Sequence, residues 1–229
     1  SVVHGSDIDL LPEKSTIFRY LAKVVLKNSD LVVVFSTDHR NKLIGDYNLP
    51  SSKIFQGYSG PQVKSSDFNT FDSIRKEANK LKRRRLLLFI GKNSIKRGED
   101  FIKSFHYLDY DRYVGMMIID SKKERKKASE LIRKEKINNI FLSPGIPNQL
   151  VLAIMASSDI LIIPSLSETL CLVGLESILA GCPIIATRVG EIKKYLKPRK
   201  NGLFINKKNP RQIGQKIEEL VNYYDSYFN

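Results

Sequence analysis

Ile160-Leu161-Ile162-Ile163-Pro164-Ser165-Leu166-Ser167-Glu168-Thr169-Leu170-Cys171-Leu172-Val173-Gly174-Leu175-Glu176 is the stretch that decides the fold of this chain. Four aliphatic residues run into a proline and two serines, then into a second apolar stretch that carries a glutamate. An unbroken aliphatic run of this kind reads as a strand buried on both faces, the mark of a parallel sheet covered by helices. The segment after the loop reads as a helix over 171–180, closed at Ala180-Gly181, where Gly181 can take the left-handed turn that ends a helix. Strand, polar loop and helix together form one unit of a doubly wound α/β sheet.

The alternation extends outward in both directions. Further strands are predicted at 86–90, 116–119, 140–142, 184–186 and 203–205, and helices near 99–108, 122–136, 148–157, 190–196 and 210–224. Asn209 is a natural N-cap for the last helix, and Pro210 suits its first position. Upstream, 31–35 reads as a buried strand. It lies between a helix carrying Ile17, Leu21, Val24 and Val25, with Ser15 or Thr16 to cap it, and a helix over 37–46 capped by Ser36. Residues 50–70, with Pro50, Gly57, Gly60, Pro61 and several serines, have linker composition. Such sheets bind ligands beyond the carboxyl ends of their strands, so the residues that follow each strand are the ones to search.

Composition narrows the classes. A chain of 229 residues has room for one or two domains and for a real core. Cys171 and Cys182 are too few for a disulfide framework and read as buried thiols of an intracellular protein. No apolar run nears the ~18 residues of a membrane span, and no signal-peptide pattern is visible. The first residues, Ser1-Val2-Val3, resemble the inside of a strand, so upstream residues are expected to exist. Charge is unevenly placed: residues 1–75 hold nine Lys and Arg against eight Asp and Glu, and residues 76–229 hold 29 against 16. A solvated basic surface, an anionic membrane, an anionic substrate and nucleic acid all fit that excess. The densest basic run, 80–85, lacks interleaved aromatics, and no helix-turn-helix, RRM or zinc-finger pattern is present, which weighs against nucleic acid. Nor is there a P-loop, a zinc-type Cys/His spacing or a Gly-x-Ser-x-Gly elbow.

Three places carry chemistry. Glu168 falls in the loop after the 160–163 strand, and Glu176 about two turns into the following helix. The start of that helix, at Leu170, Cys171 and Leu172, offers free backbone N–H groups and the positive end of the helix dipole, a ready site for a diphosphate. A carboxylate inside the helix can accept hydrogen bonds from ribose hydroxyls, and one in the loop can reach a sugar carried on the diphosphate. The plain alternative is a helix-capping Glu168 and a solvated Glu176. The second place is Phe89-Ile90-Gly91-Lys92-Asn93-Ser94-Ile95-Lys96-Arg97-Gly98, a strand end followed by a cationic turn, and the third is His4-Gly5-Ser6-Asp7.

The run from Asp159 to Gly190, with Pro-Ser-x-x-Glu, then Glu-Ser-x-x-Ala-Gly-x-Pro-Ile-Ile-Ala-Thr-x-Val-Gly, resembles the signature of family-4 glycosyltransferases of the GT-B fold (glycosyl transferases group 1). Asn201-Gly202-Leu203-Phe204-Ile205 is similar to a later strand of that family, and 86–221 as a whole resembles its donor-binding domain. The resemblance implies an α/β chain of GT-B type, with the end of an acceptor domain and linker at 1–70 and a nucleotide-sugar domain at 71–229. It implies a retaining, metal-independent hexosyltransferase that uses a nucleoside-diphosphate sugar and no other cofactor. Glu168 and His4 are then the catalytic candidates. Gly91, Lys92, Lys96, Arg97, Leu170, Cys171, Leu172 and Glu176 are the donor-binding candidates, with Lys92 standing for the family's Arg and Arg97 for its Lys. The acceptor is expected to be lipid-linked or a glycan. A cytoplasmic location follows, with peripheral contact to an anionic membrane suggested by the basic half.

The chain also departs from the family. Cys171 stands where a glycine is usual, Glu191 replaces the second glycine of a Gly-Gly pair, and Lys194 falls where an acidic residue is common. Gln56-Gly57-Tyr58-Ser59-Gly60 lacks the usual Asn-Gly-Val-Asp. These departures keep open an eroded module that binds or assembles without catalysis. Asp7-Ile8-Asp9 is formally an Asp-x-Asp metal motif, but the remaining chain does not resemble the GT-A enzymes that use one, so no metal site is expected.

Overall fold

The structure is a computed structural model, and it describes residues 8, 12, 15–57, 60, 61, 63, 67–81 and 84–228. The chain forms two compact units. The first comprises residues 1–60 together with 167–172 and 189–193, and the second comprises 61–166, 173–188 and 194–229.

In the first unit, helix α1 (Thr16–Lys27) begins at Ser15, whose hydroxyl accepts from the Ile17 N–H at 3.2 Å. Strand β1 (Val32–Val34) follows, then α2 (Thr37–Gly45), capped by Ser36 through the His39 N–H at 3.1 Å. Strand β2 (Ile54–Gln56) pairs parallel with β1, Val32 facing Ile54 and Val34 facing Gln56. Leu26, Val32, Val34, Leu43, Tyr47 and Ile54 form the core of this unit. Of the apolar positions of α1, Leu26 joins this core and Ala22 packs against it, whereas the stripe of Ile17, Leu21, Val24 and Val25 stays exposed, Ile17 to 68% and Leu21 to 50%.

The second unit holds α3 (Asp67–Leu81), β3 (Arg85–Gly91), α4 (Gly98–Ser104), β4 (Tyr113–Ile119), α5 (Lys122–Lys134), β5 (Ile140–Ser143), α6 (Asn148–Ser157) and β6 (Ile160–Ile163). It continues through α7 (Leu172–Leu179, its first residue counted with the first unit), β7 (Ile184–Thr187), α8 (Ile192–Tyr195, its first two residues counted with the first unit), β8 (Gly202–Ile205) and α9 (Pro210–Phe228). Its six strands are all parallel, in the order β5-β4-β3-β6-β7-β8. The chain runs outward from β3 to one edge, then returns beside β3 with β6 and runs to the other edge, so β3 and β6 flank the point where the winding reverses. Leu87, Phe89, Met117, Ile160, Ile162 and Ile185 lie at the centre of the core, and Phe101 and Phe105 meet edge to face over it at 5.3 Å. Strands with both faces covered explain the unbroken aliphatic runs: all four residues of β6 and all four of β7 are buried.

Helix ends form where the residue types place them. Asn209 accepts from the Gln212 N–H at 3.0 Å at the start of α9. Gly181, at φ +73°, closes α7, and the Cys182 N–H reaches back to the Ser177 carbonyl at 2.8 Å. The linker reading of 50–70 needs correction, because β2 and the first turn of α3 lie inside it. Among the described residues no helix is long and apolar enough to cross a membrane.

Candidate functional site

In the second unit, β3 ends at Gly91, where an added Cβ would come within 2.8 Å of the Phe89 ring. The chain then makes a short turn, Ser94–Lys96, before α4. Lys92, exposed, lies just ahead of this turn, and Lys96, half-buried, ends it. Arg97 sits at φ +56°, ψ +46° and starts α4 without a capping side chain. Its guanidinium forms a two-pronged pair with the buried Asp100, Nε to Oδ2 and NH2 to Oδ1 both at 2.8 Å, and pairs with Glu99 as well. Hydrogen bonding to Asp100 raises the Arg97 pKa still further above its ordinary value. The charge of Arg97 is thus matched by two carboxylates of its own helix.

The turn after β3 is tied to the loop after β6, since the Leu166 N–H donates to the Ile95 carbonyl at 2.9 Å. Thr187, at the end of β7, donates its hydroxyl to the Ser165 carbonyl and supports the same loop from the other side. Two backbone turns are therefore fixed to each other at the carboxyl ends of the two strands where the winding reverses, which is where such sheets place a ligand. Gly91 and Arg97, with Phe89, Asn93 and Ser94, also line a groove of about 290 Å³.

Glu176 lies on α7 and is 6% exposed. The solvated reading of this carboxylate therefore fails. Gly174, on the same helix, lets Tyr195 approach: an added Cβ would come within 2.6 Å of the Tyr195 hydroxyl. The start of α7 is Leu172, which leaves Leu170 and Cys171 in the approach to the helix.

In the first unit, Glu168 is half-buried on the segment Ser167–Leu172. Gly190, at φ +52°, lies so close to the Glu168 and Thr169 carbonyls that no side chain fits there. Cys171 is buried and sits at φ +54°, the left-handed region that glycine occupies without strain. The backbone that a glycine would favour is thus kept with a side chain on it. Cys171→Gly is expected to change stability by no more than about 1 kcal/mol, as relief of strain offsets lost packing. Cys171→Val should cost about 2 kcal/mol or more, because a β-branched residue rarely enters that region. Urea unfolding of the two variants checks both. His4, and the Asp7 and Asp9 of the Asp-x-Asp motif, lie outside the described residues.

Sequence reading missed Asp100 and the reach of the Glu191 carboxylate as parts of these loops. Asp100 could have been found as the i+3 partner of Arg97. The partner of Glu191, Thr37, is 154 residues away, and nothing local signals it.

The glycosyl transferases group 1 family model matches residues 70–227. An uncharacterized glycosyltransferase of Methanocaldococcus jannaschii is 29% identical over 221 residues, covering 96% of this chain and 57% of that protein. Solved structures that superimpose include Anabaena HepE in complex with UDP and glucose, with TM-score 0.77 and 17% identity over 96% of this chain and 61% of the other. Sucrose-phosphate synthase from Thermosynechococcus elongatus superimposes with TM-score 0.75 and 17% identity, over 91% and 53%. The chain thus spans little more than half the length of these proteins, and the α/β fold of GT-B type expected from the sequence is borne out.

Proposed function

The chain belongs to the glycosyl transferases group 1 family, and from that premise we propose that it is the donor-binding part of a glycosyltransferase that moves a sugar from a nucleoside-diphosphate sugar to an acceptor hydroxyl. The observation that carries the reading is the buried Glu176 on α7, the helix that follows β6 at the reversal of the winding, where the loop after β6 is tied to the cationic turn after β3. A nucleoside diphosphate asks for those groups: a carboxylate for the ribose hydroxyls, backbone N–H groups at a helix start and cationic side chains for the phosphates.

In this reading Glu176 holds the ribose, and the N–H groups at Leu170, Cys171 and Leu172 face the diphosphate. Lys92, Lys96 and Arg97 supply the neutralising charge, and the pairing of Arg97 with Asp100 and Glu99 also shapes the turn. Glu168 orients the donor sugar and stabilises positive charge that develops on it as the diphosphate leaves. His4 meets the sugar from the acceptor side. Cationic side chains and helix N–H groups then do the work that a divalent metal does elsewhere, and the reaction runs with retention of configuration and no further cofactor. The UDP and glucose bound to HepE support a UDP-sugar as the donor. The charge excess over 76–229 supports a lipid-linked or otherwise anionic acceptor at a cytoplasmic membrane surface.

A calorimetric screen of UDP-, GDP- and ADP-sugars tests the reading. Saturable binding of one donor, unchanged by EDTA, is the expected result. Binding that EDTA abolishes would remove the metal-independent mechanism. No binding by this chain or by a longer form of the protein would remove the donor site.

A further inference from the structure

We propose that Glu191 is a positioning residue that fastens the loop bearing Glu168 to the N-terminus of α2. The proposal deepens the reading of Glu168 given above and rests on it. Where the family carries a glycine pair, this chain carries Gly190-Glu191. Gly190 packs its backbone against the carbonyls of Glu168 and Thr169. The Glu191 N–H then donates to the Thr169 carbonyl at 2.9 Å. The same residue turns its carboxylate the other way and accepts from the Thr37 N–H at 2.8 Å, with the side chain buried to 6% exposure.

Thr37 is the first residue of α2, whose opening N–H groups have no partner within the helix. Ser36 takes the His39 N–H, and Glu191 takes the Thr37 N–H. The positive end of the helix dipole favours a carboxylate there, and a charged acceptor makes a stronger bond than a neutral one. Two residues on, the Lys193 ammonium pairs with Asp38 in the first turn of α2, at 2.9 and 3.1 Å. The segment Val189–Lys193 therefore grips α2 at two points and holds the Glu168 loop by the backbone of one of them. A glycine at 191 keeps the N–H to Thr169 and loses the hold on α2. The loop would then be free to shift, and misplacement of a reacting group by about 1 Å can cost on the order of a hundredfold in rate.

Amide hydrogen exchange on the whole chain, with UDP-glucose turnover beside it, tests the assignment. Glu191→Ala is expected to speed exchange at Thr37 and across Ser167–Leu172 by about tenfold, the loss of one charge-assisted hydrogen bond. Glu191→Gln, which keeps an acceptor oxygen, should restore protection. Turnover of UDP-glucose in Glu191→Ala should fall about tenfold in kcat with KM nearly unchanged, and Glu191→Gln should recover it. In a Glu168→Gln background the same change should cost little more, because the two residues act through one group. Unchanged exchange across Ser167–Leu172 in Glu191→Ala overturns the proposal, as do equal kcat losses with and without Glu168. A chain that turns over no UDP-glucose removes that donor from the functional reading, and the exchange result alone then decides the tether.

Discussion

Glu176→Ala is expected to weaken binding of a UDP-sugar by about ten- to a hundredfold, the worth of hydrogen bonds from ribose hydroxyls to a charged acceptor. Calorimetric titration measures it directly. Glu176 is buried on α7, so the variant must also be shown to be folded. Glu176→Gln supplies the control: it keeps shape and one acceptor oxygen but not the charge, and its affinity should fall between those of the parent and the alanine variant. Glu130→Ala, which removes an exposed carboxylate on α5, should leave affinity unchanged. If Glu176→Ala stays folded and binds donor as tightly as the parent chain, the ribose is held elsewhere and the assignment of α7 is wrong.

Gly202→Ala is expected to be the most damaging single methyl that can be added to the sheet. Gly202 opens β8 at φ +153°, paired with Ile184 of β7, and an added Cβ would overlap the Ile184 carbonyl. The carbonyl belongs to β7, a strand paired on both sides, and cannot yield without breaking the β7–β8 ladder. Strain and overpacking together should cost about 3 kcal/mol or more. Urea unfolding checks this, with Gly45→Ala as the counterpart. Gly45 ends α2 with no atom within 4 Å of an added Cβ, so the same change there should be neutral or stabilise by up to about 1 kcal/mol. Equal effects at the two positions would mean that β8 is not held as described.

The strands of the second unit were legible because burial on both faces leaves unbroken runs such as Ile160 to Ile163, which need no partner to be recognised. Caps were legible for the opposite reason: Ser15, Ser36 and Asn209 each act within three residues of themselves. β2 was not legible, since Ile54, Phe55 and Gln56 are too few to show a period and become a strand through pairing with β1. α3 was obscured by its polar start, although Phe71 is buried. In the candidate site, sequence placed Glu176 inside the helix after β6 and the cationic turn after β3, and the structure has those elements there. It could not show that Arg97 is paired with Asp100 and Glu99, or that Glu191 reaches Thr37, because both are matters of side-chain direction. The apolar face of α1 shows the same limit: its spacing identifies the helix, while its exposure depends on what packs beside it.

The strand order also sets a schedule for the growing chain. β3 leaves the ribosome with β4 and β5 close behind, and those three can pair at once. The other edge of β3 belongs to β6, which begins roughly 70 residues later. At the usual pace of synthesis that is about 3–14 s during which Leu87 and Leu88 have no neighbour on that side. A half-built sheet with a bare aliphatic edge is the species most open to wrong pairing with other nascent chains. The vulnerable moment for this protein is therefore before residue 160 emerges, and a shield supplied in that interval should raise its yield more than one added after release.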